Sequence, residues 1–507
     1  MVCTPAAAHR ASLAVLVLAQ LACAYVPGGG FGARSSSAAA RLASSARLAG
    51  GRQWQQQQQL SRTAVSASAS ALATPASTKK PSASLRVSSV NLLKNMVGAG
   101  VFSLNAKCTA IGPAAFGPAS ALVLTMAAWA TYNFYMIAET CKLTSTTTYS
   151  EAWGRTVSEN SKWIIAAVVT IAPIVSCLAN SIVLTDILGL VYRSLGAPAW
   201  MYTSRNTVIA LLSSTILYPL CVQQDLSALR SVSAFGLLGH FSAMTALAVR
   251  LLDKSYFPGG AFYTAAARTV GTAPPLKQAA AVAAAAASKL DVSKLFVLAS
   301  LLSYCFVCHY NAPRYYAELE GADSDDGKFL KMASLSYGLG ACTYIGTMFL
   351  GLQLFGPRSA SFALNSFSTR DPLGLVARVA FGSSVLASYP LIFLSMRNTF
   401  AAAAAAKFSP NIKSESVTAA LLALIAVLTS RFTDIGVVGS LAGGVFGSSM
   451  MFVFPPVMYM RALVQQARSQ GRGLPVGRLV LNSVLLVCGG LLGGFGTYNS
   501  LRSALGR

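Results

Sequence analysis

Acidic side chains are scarce in this chain of 507 residues: 15 Asp and Glu stand against 39 Lys and Arg, and none precedes Glu139. Charged residues of both signs reach only 11%, less than half of the roughly 25% of an average soluble chain. That is too little charge to cover a globular surface in water. The ten cysteines are scattered through apolar runs rather than clustered, which argues against a disulfide scaffold. No Walker A sequence, no H-E-x-x-H and no G-x-S-x-G within a soluble domain occurs, so an enzyme reading has no chemistry to stand on. No cofactor and no metal are expected.

What is present is apolar. Hydrophobic residues make up 54% and the mean hydropathy is +0.56. Repeated apolar stretches of about 18 residues or more argue for many membrane helices, with the lipid bilayer as solvent. A formal charge of +24 would suggest nucleic acid in a soluble protein. Here much of it lies near the N-terminus and in short connectors, where a membrane protein carries Lys and Arg. Nucleic acid is not an expected partner.

The first 85 residues do not read as part of the fold. Arg10, the apolar "SLAVLVLAQL" and Ala22-Cys23-Ala24 fit a secretory signal peptide over 1–24. Residues 25–85 are rich in Ser, Ala and Arg and free of acids, as transit peptides are. A signal peptide followed by a transit-like segment, with Tyr25 directly after the small residues, resembles the bipartite leader of complex plastids. The expected location is a plastid envelope or another internal membrane. The plainer alternative is a signal peptide followed by a low-complexity tail.

The rest, 86–503, predicts an all-α integral membrane domain of about eleven spans. They lie near 88–113, 117–141, 162–191, 204–222, 229–252, 292–316, 329–355, 375–403, 416–433, 435–461 and 477–500. Connectors such as "VQQDLS" and "FGPRSASFALNSFSTRDP" punctuate them. The longest connector, 253–291, contains an alanine tract rather than a span.

The first span contains "KNMVGAGVFSL", a lysine near the start and a Gly-x-Gly pair in the middle. Small residues in a membrane helix often only permit close packing. The other reading is an unwound break, where free N–H groups at a half-helix N-terminus hold an anionic group. Such a break is tolerated at membrane depth only where it lines a cavity or is buried in protein. If the first span opens a five-helix repeat, its inverted counterpart is the sixth, "LLSYCFVCHYNAPRYYAEL". There His309, Asn311 and Pro313 interrupt an apolar helix. The two irregularities fall where an inverted repeat requires them.

Four segments carry a family resemblance. "NLLKNMVGAGVFSL" resembles the first-helix signature of the amino acid/auxin permease family, which includes the sodium-coupled neutral amino acid transporters and lies within the amino acid-polyamine-organocation superfamily. "FVCHYNAPRYYAELE" is similar to that family's Cys-His segment, "SIVLTDIL" to its third-helix run closing on an acid, and "SYPLIFLSMRN" to its Pro-to-Arg segment in span eight. The resemblance implies a LeuT-like fold of two inverted five-helix repeats plus one extra helix, and transport of amino acids by alternating access. It places the substrate carboxylate at the amides of Gly98, Ala99 and Gly100, and its ammonium near Cys308, His309, Tyr310 and Asn311. A monomer is the expected working unit.

One departure bears on the coupling ion. Sodium-coupled members carry an asparagine four residues before the first glycine of the signature. This chain has Lys94 there, flanked by Asn91 and Asn95, with the partner hydroxyl expected at Ser388. An ammonium at that place argues against sodium. If it loses its proton during the cycle, as a low-dielectric surrounding allows, it couples transport to H⁺. The alternative is that Lys94 snorkels to the interface. Symport with protons and plain uniport both stay open.

Three other features invite a function. Cys305-x-x-Cys308-His309 spells the haem c attachment pattern, the basis of a remote redox reading, yet it lies inside an apolar span with no soluble domain around it. Asp186 and Arg397 are ionisable groups near membrane depth and count as functional candidates by default. A non-transporting amino acid sensor on the same fold is the remaining rival.

Overall fold

The computed structural model describes residues 83–112, 114–222, 232–263, 291–322, 326–356, 359–407 and 413–505. The leader reading falls on residues outside these except for 83–85, which pair with the end of a later helix and open the first one.

The described chain is helical throughout. The first apolar run gives α1 (Leu85–Met96), a 3-10 turn over Ala99–Ser103 and α2 (Leu104–Ile111). Then come α3 (Phe116–Thr144), the short α4 (Tyr149–Thr156), α5 (Lys162–Ser194), α6 (Arg205–Leu211), α7 (Tyr218–Val222) and α8 (Val232–Leu252). The second half holds α9 (Val292–Phe306), α10 (Ala312–Glu318), α11 (Asp326–Phe355) and α12 (Pro372–Lys407). It closes with α13 (Ser414–Arg431), α14 (Ile435–Ala442), α15 (Phe454–Ser469) and α16 (Val476–Ala504).

Among the described residues nine helical stretches are long and apolar enough to cross a membrane, where eleven spans are predicted. The two missing from that count have plain reasons. The span at 88–113 is split into helices of 12 and 8 residues, and the one at 229–252 begins among residues outside the description, leaving Gly236–Leu252 as a shorter apolar helix. The protein is a multi-pass membrane protein.

Side-chain caps set several helix starts. Asp291 accepts from Ser293 and Lys294 N–H at the start of α9, and Asp434 from Gly436 and Val437 N–H at the start of α14. Within the apolar helices buried hydroxyls are satisfied locally: Thr131, Thr140, Thr185 and Thr347 each donate to the carbonyl four residues earlier. α12 runs along α8 and α5, while α11 lies along α3 and against α1 and α2. α9 packs between α16 and α14. Gly443 admits the backbone of Ser300 so closely that no Cβ fits between them.

Two stretches wind as π-helix: Leu212–Leu217 joins α6 to α7, and Gly443–Gly447 with Ser449–Val453 joins α14 to α15. Donors from neighbouring helices fill the carbonyls the wider winding presents. Asn133 of α3 donates to Met451 O at 2.5 Å, and Tyr149 of α4 to Met450 O at 3.2 Å. All eight described cysteines are free thiols.

Candidate functional site

The two irregular segments break their helices and meet. α1 ends at Met96, and Val97 and Gly98 leave helical geometry before the 3-10 turn. α9 ends at Phe306, and a 3-10 turn over His309–Asn311 precedes α10. A Cβ at Gly100 would lie 3.0 Å from Cys305 Sγ and 3.2 Å from the Tyr304 ring, so glycine is what lets the first break sit against the second. The pair is tied at two further levels. Asn95 donates to Tyr315 Oη at 2.8 Å. Ala83 pairs with the end of α10, its N–H on Glu318 O at 3.1 Å and its carbonyl accepting from Glu320 N at 3.1 Å.

α11 supplies hydroxyls to the broken ends. A helix leaves its last carbonyls without intrahelical donors. Tyr344 Oη lies 2.8 Å from Met96 O, the end of α1, and 2.9 Å from Cys305 O near the end of α9. Two turns earlier Tyr337 Oη lies 3.4 Å from Phe306 O and 3.1 Å from Cys308 Sγ. Between the two tyrosines Gly340 faces Met96 and Phe306, at ordinary contact distance from where a Cβ would stand.

The predicted substrate residues divide into exposed and packed ones. Gly98 is exposed, with nothing within 4 Å of where a Cβ would stand, and its φ of −120° is ordinary extended backbone. Its use is therefore open approach rather than strain. Ala99 and Gly100 open the 3-10 turn, whose first N–H groups have no internal acceptor. Tyr310 is 41% accessible at the second break. Cys308 and His309 are fully packed instead. His309 Nε2 contacts Ala130 O of α3 at 3.1 Å, its ring edge-on to Phe134. Asn311 lies in the turn with its N–H on Cys308 O at 2.9 Å. The C-x-x-C-H segment is thus occupied by packing against α3 and α11.

The ion-coupling candidates do not form one cluster. Lys94 is half-buried and reaches across to α8 and α12. A Cβ at Gly236 would lie 2.5 Å from its Cε and 3.1 Å from its Nζ, with Ser384 Oγ 3.3 Å away. Ser384 donates to Gly236 O at 2.8 Å. Ser388, one turn further along α12, donates back to Ser384 O at 3.0 Å. Lys94 and Ser384 thus both lie against Gly236, and Ser388, the hydroxyl expected opposite Lys94, stands one turn from Ser384 on α12. Asn91 is exposed and Asn95 belongs to the Tyr315 contact.

Asp186 and Arg397 lie in other contacts. Asp186 near the end of α5 is hydrogen-bonded to Arg205 of α6 and, at 2.9 Å, accepts from Asn365. Arg397 donates to Cys221 O at 2.7 Å and Val222 O at 3.2 Å, the last carbonyls of α7, as a buried C-terminal cap. A cavity of about 640 Å³ lined by Arg193, Thr369, Arg370 and Asp371 lies at the end of α5, not at the breaks. Ser384, Gly236, Tyr337 and Tyr344 were not singled out from the sequence. A tyrosine inside an apolar run reads as core, and only the pair spaced by seven in "SYGLGACTY" hints that α11 presents one polar stripe.

A multi-pass helical bundle with two broken helices meeting in its interior is the class the geometry defines. The family described as transmembrane amino acid transporter protein matches residues 81–502, and the chain belongs to it. It is a family of transporters, not of enzymes. Among similar proteins, "Putative sodium-coupled neutral amino acid transporter 11" of Danio rerio is 20% identical over 423 residues, 82% of this chain and 87% of its own length. Amino acid transporter AVT6E of Arabidopsis thaliana is 24% identical over 437 residues, covering 82% and 83%. Among solved structures, MhsT in complex with L-phenylalanine aligns with 83% of this chain and 100% of its own, at 13% identity and a TM-score of 0.46.

Proposed function

We propose that this protein is a secondary active transporter that carries amino acids by alternating access, with substrate bound where the two broken helices meet and without sodium as the coupling ion. The observation that carries the site is the contact of the first break with the end of α9: amide donors at Ala99 and Gly100 beside the open position of Gly98, with Tyr304 and Cys305, the residues that lead into the second break, against Gly100. An α-amino acid presents a carboxylate and an ammonium a fixed distance apart. Helix N-terminal amides suit the first and helix C-terminal carbonyls the second. The first and sixth spans are the broken ones, as two inverted five-helix repeats plus a last helix, α16, would have them. No nucleotide-binding sequence is present, so an ion gradient or the substrate's own gradient drives the cycle.

The sodium part rests on Lys94. In the resemblance its position supplies a neutral oxygen to Na⁺, and here the side chain reaches Gly236 and Ser384 instead. Two unit charges about 4 Å apart repel by roughly 4 kcal/mol at an effective dielectric near 20, so an ammonium and Na⁺ do not share so small a site. H⁺ coupling and uniport then remain, and a proton gradient separates them.

The test is uptake of a panel of labelled amino acids into proteoliposomes, with Na⁺ and pH gradients imposed separately. Uptake of at least one amino acid, unchanged when choline replaces Na⁺, is the expected result. Binding without uptake would make the chain a sensor, and sodium-stimulated uptake would reject the coupling assignment.

A further inference from the structure

The amide donors of the first break and the carbonyls of the second belong to different helices, and only a few contacts fix one against the other. Tyr344 is the contact made at the broken ends themselves. Its ring is fully buried, tilted against Phe306 with ring centroids 4.6 Å apart, and its oxygen stands 2.8 Å from Met96 O and 2.9 Å from Cys305 O. A phenol carries one O–H. Two carbonyls from two helices therefore share one proton, and the second carbonyl has no other claim on that hydroxyl than proximity. Met96 O also accepts from Gly98 N–H at 3.0 Å, so the end of α1 keeps a donor when the tyrosine turns to α9.

We propose that Tyr344 is a positioning residue that couples the two breaks: its single hydroxyl proton, shared between Met96 O and Cys305 O, holds the ends of α1 and α9 in register. Ala99 and Gly100 follow Met96 by three and four residues, and the Cys308–Asn311 turn follows Cys305 by as many. Register at residues 96 and 305 thus sets the spacing between the two halves of the site. Because the link is one neutral hydrogen bond on either side, modest in net strength, it can be released on one side during a conformational change. Tyr337 gives the second break its own donor and leaves Tyr344 as the link between the two. This role rests on the transporter reading for its substrate, and not for its geometry.

The substitution Tyr344→Phe keeps the ring on Phe306 and removes only the proton. Two readouts are taken in proteoliposomes. The first is alkylation of Cys305 by N-ethylmaleimide in a background with the other cysteines replaced; the thiol lies between the breaks, against Gly100. The second is the KM and Vmax of labelled L-alanine, L-glutamine and L-phenylalanine uptake. Cys305 should react several-fold faster in the variant, with KM raised about tenfold, Vmax changed much less, and melting in detergent unaltered. An unchanged alkylation rate overturns the proposal, whether or not the protein transports. Faster alkylation with a lowered melting temperature also overturns it, since Tyr344 is then a general packing residue. If the unmodified protein takes up none of the three amino acids while the variant still exposes Cys305 without loss of stability, the transport reading fails for these substrates and the coupling of the breaks stands.

Discussion

At the start of α12 the carboxylate of Asp371 accepts four hydrogen bonds: from Arg250 Nη2 at 2.6 Å and Nε at 3.1 Å, from Tyr256 at 2.9 Å and from Leu373 N–H at 2.9 Å. Arg378, about two turns on and fully buried, donates to the carbonyls of Leu364, Phe367 and Ser368. At the two breaks, by contrast, the freed carbonyls are met by two phenol hydroxyls and by backbone N–H groups, Gly98 on Met96 O, Val101 on Gly98 O and Asn311 on Cys308 O. Both regions take polar backbone out of contact with water. The corner at α12 does it with charge-assisted, multiply connected bonds, which are short and roughly twice as strong as neutral ones. The breaks do it with single neutral bonds. The corner is built to stay, so the 359–371 segment belongs with α12, and the breaks are where rearrangement costs least.

The largest effect should follow from cutting the corner. Asp371→Ala leaves the Arg250 guanidinium, whose side chain is only 15% exposed, without its bidentate partner. Arg250 keeps Asp253 at 2.6 Å, so the charge term lies below the roughly 3–5 kcal/mol of a buried charge left wholly unpaired, and the lost Tyr256 and Leu373 N–H bonds add to it. Folded protein recovered from detergent extracts should fall sharply and its melting temperature should drop. If Asp371→Ala melts like the unmodified protein, the contrast between corner and breaks is wrong.

Next in size is a loss of function without loss of fold. A side chain at Gly98 meets open space, whereas one at Gly100 meets Cys305 and Tyr304. Gly98→Val should therefore reach normal abundance and melting yet take up no amino acid, its isopropyl group standing where a carboxylate would approach the amides. Gly100→Val should also lose uptake, but at reduced abundance, since overpacking costs about 1–3 kcal/mol. Normal uptake by Gly98→Val would remove the first break from the substrate site.

The Lys94 pocket sharpens the comparison from the side of the ion. Lys94→Asn restores the neutral oxygen of the sodium-coupled pattern beside Ser384, and it should lose whatever pH response the unmodified protein shows. A modest Na⁺ stimulation in that variant, absent from the parent, is the expected reading of uptake in choline against sodium. Gly236→Ala is the partner experiment, because the added methyl would displace the Lys94 side chain without touching its charge. Equal Na⁺ insensitivity in parent and Lys94→Asn, with an unaltered pH profile, would detach Lys94 from coupling.

How much of this was legible in the sequence differs by element for physical reasons. Both breaks could be placed to within a few residues, since Gly98-x-Gly100 and the His309-to-Pro313 segment interrupt runs that otherwise read as continuous apolar helix. The long spans were legible from length and hydropathy alone. The service contacts were not. Ser384 and Ser388 share one face of α12, so the level at which Lys94 meets that face depends on how far α12 is shifted along its axis, which no residue pattern states. Tyr344 looks like any buried aromatic until α11 is seen to lie across both broken ends. The π-helical turns at 212–217 and 443–453 carry no period of their own, and their carbonyls find donors as far away as Asn133 and Tyr149. Asp186 and Arg397, ionisable groups in apolar runs, read as functional candidates, but the contacts that join α5 to α6 and cap α7 through them could not be read from the sequence.

The smallest expected effect concerns the start of α9, which carries the second break. Asp291 caps that helix, accepting from Ser293 N–H at 3.0 Å and from the Ser293 hydroxyl at 2.6 Å. The Ser293 hydroxyl bond, with Lys294 beside it, holds its carboxyl below the ordinary aspartate range. A depressed folded value means the contribution is present at neutral pH and fades as the pH falls through that value. Asp291→Ala should cost about 1 kcal/mol near pH 7. That deficit should hold down to about pH 4, where an ordinary aspartate begins to take up its proton. Below it, the deficit should shrink. Asp291→Asn keeps the capping oxygen and should recover most of the loss at neutral pH, which separates capping from charge. Melting curves of the three proteins across that range decide it, and a deficit in Asp291→Ala that grew on acidification would contradict the assigned sign.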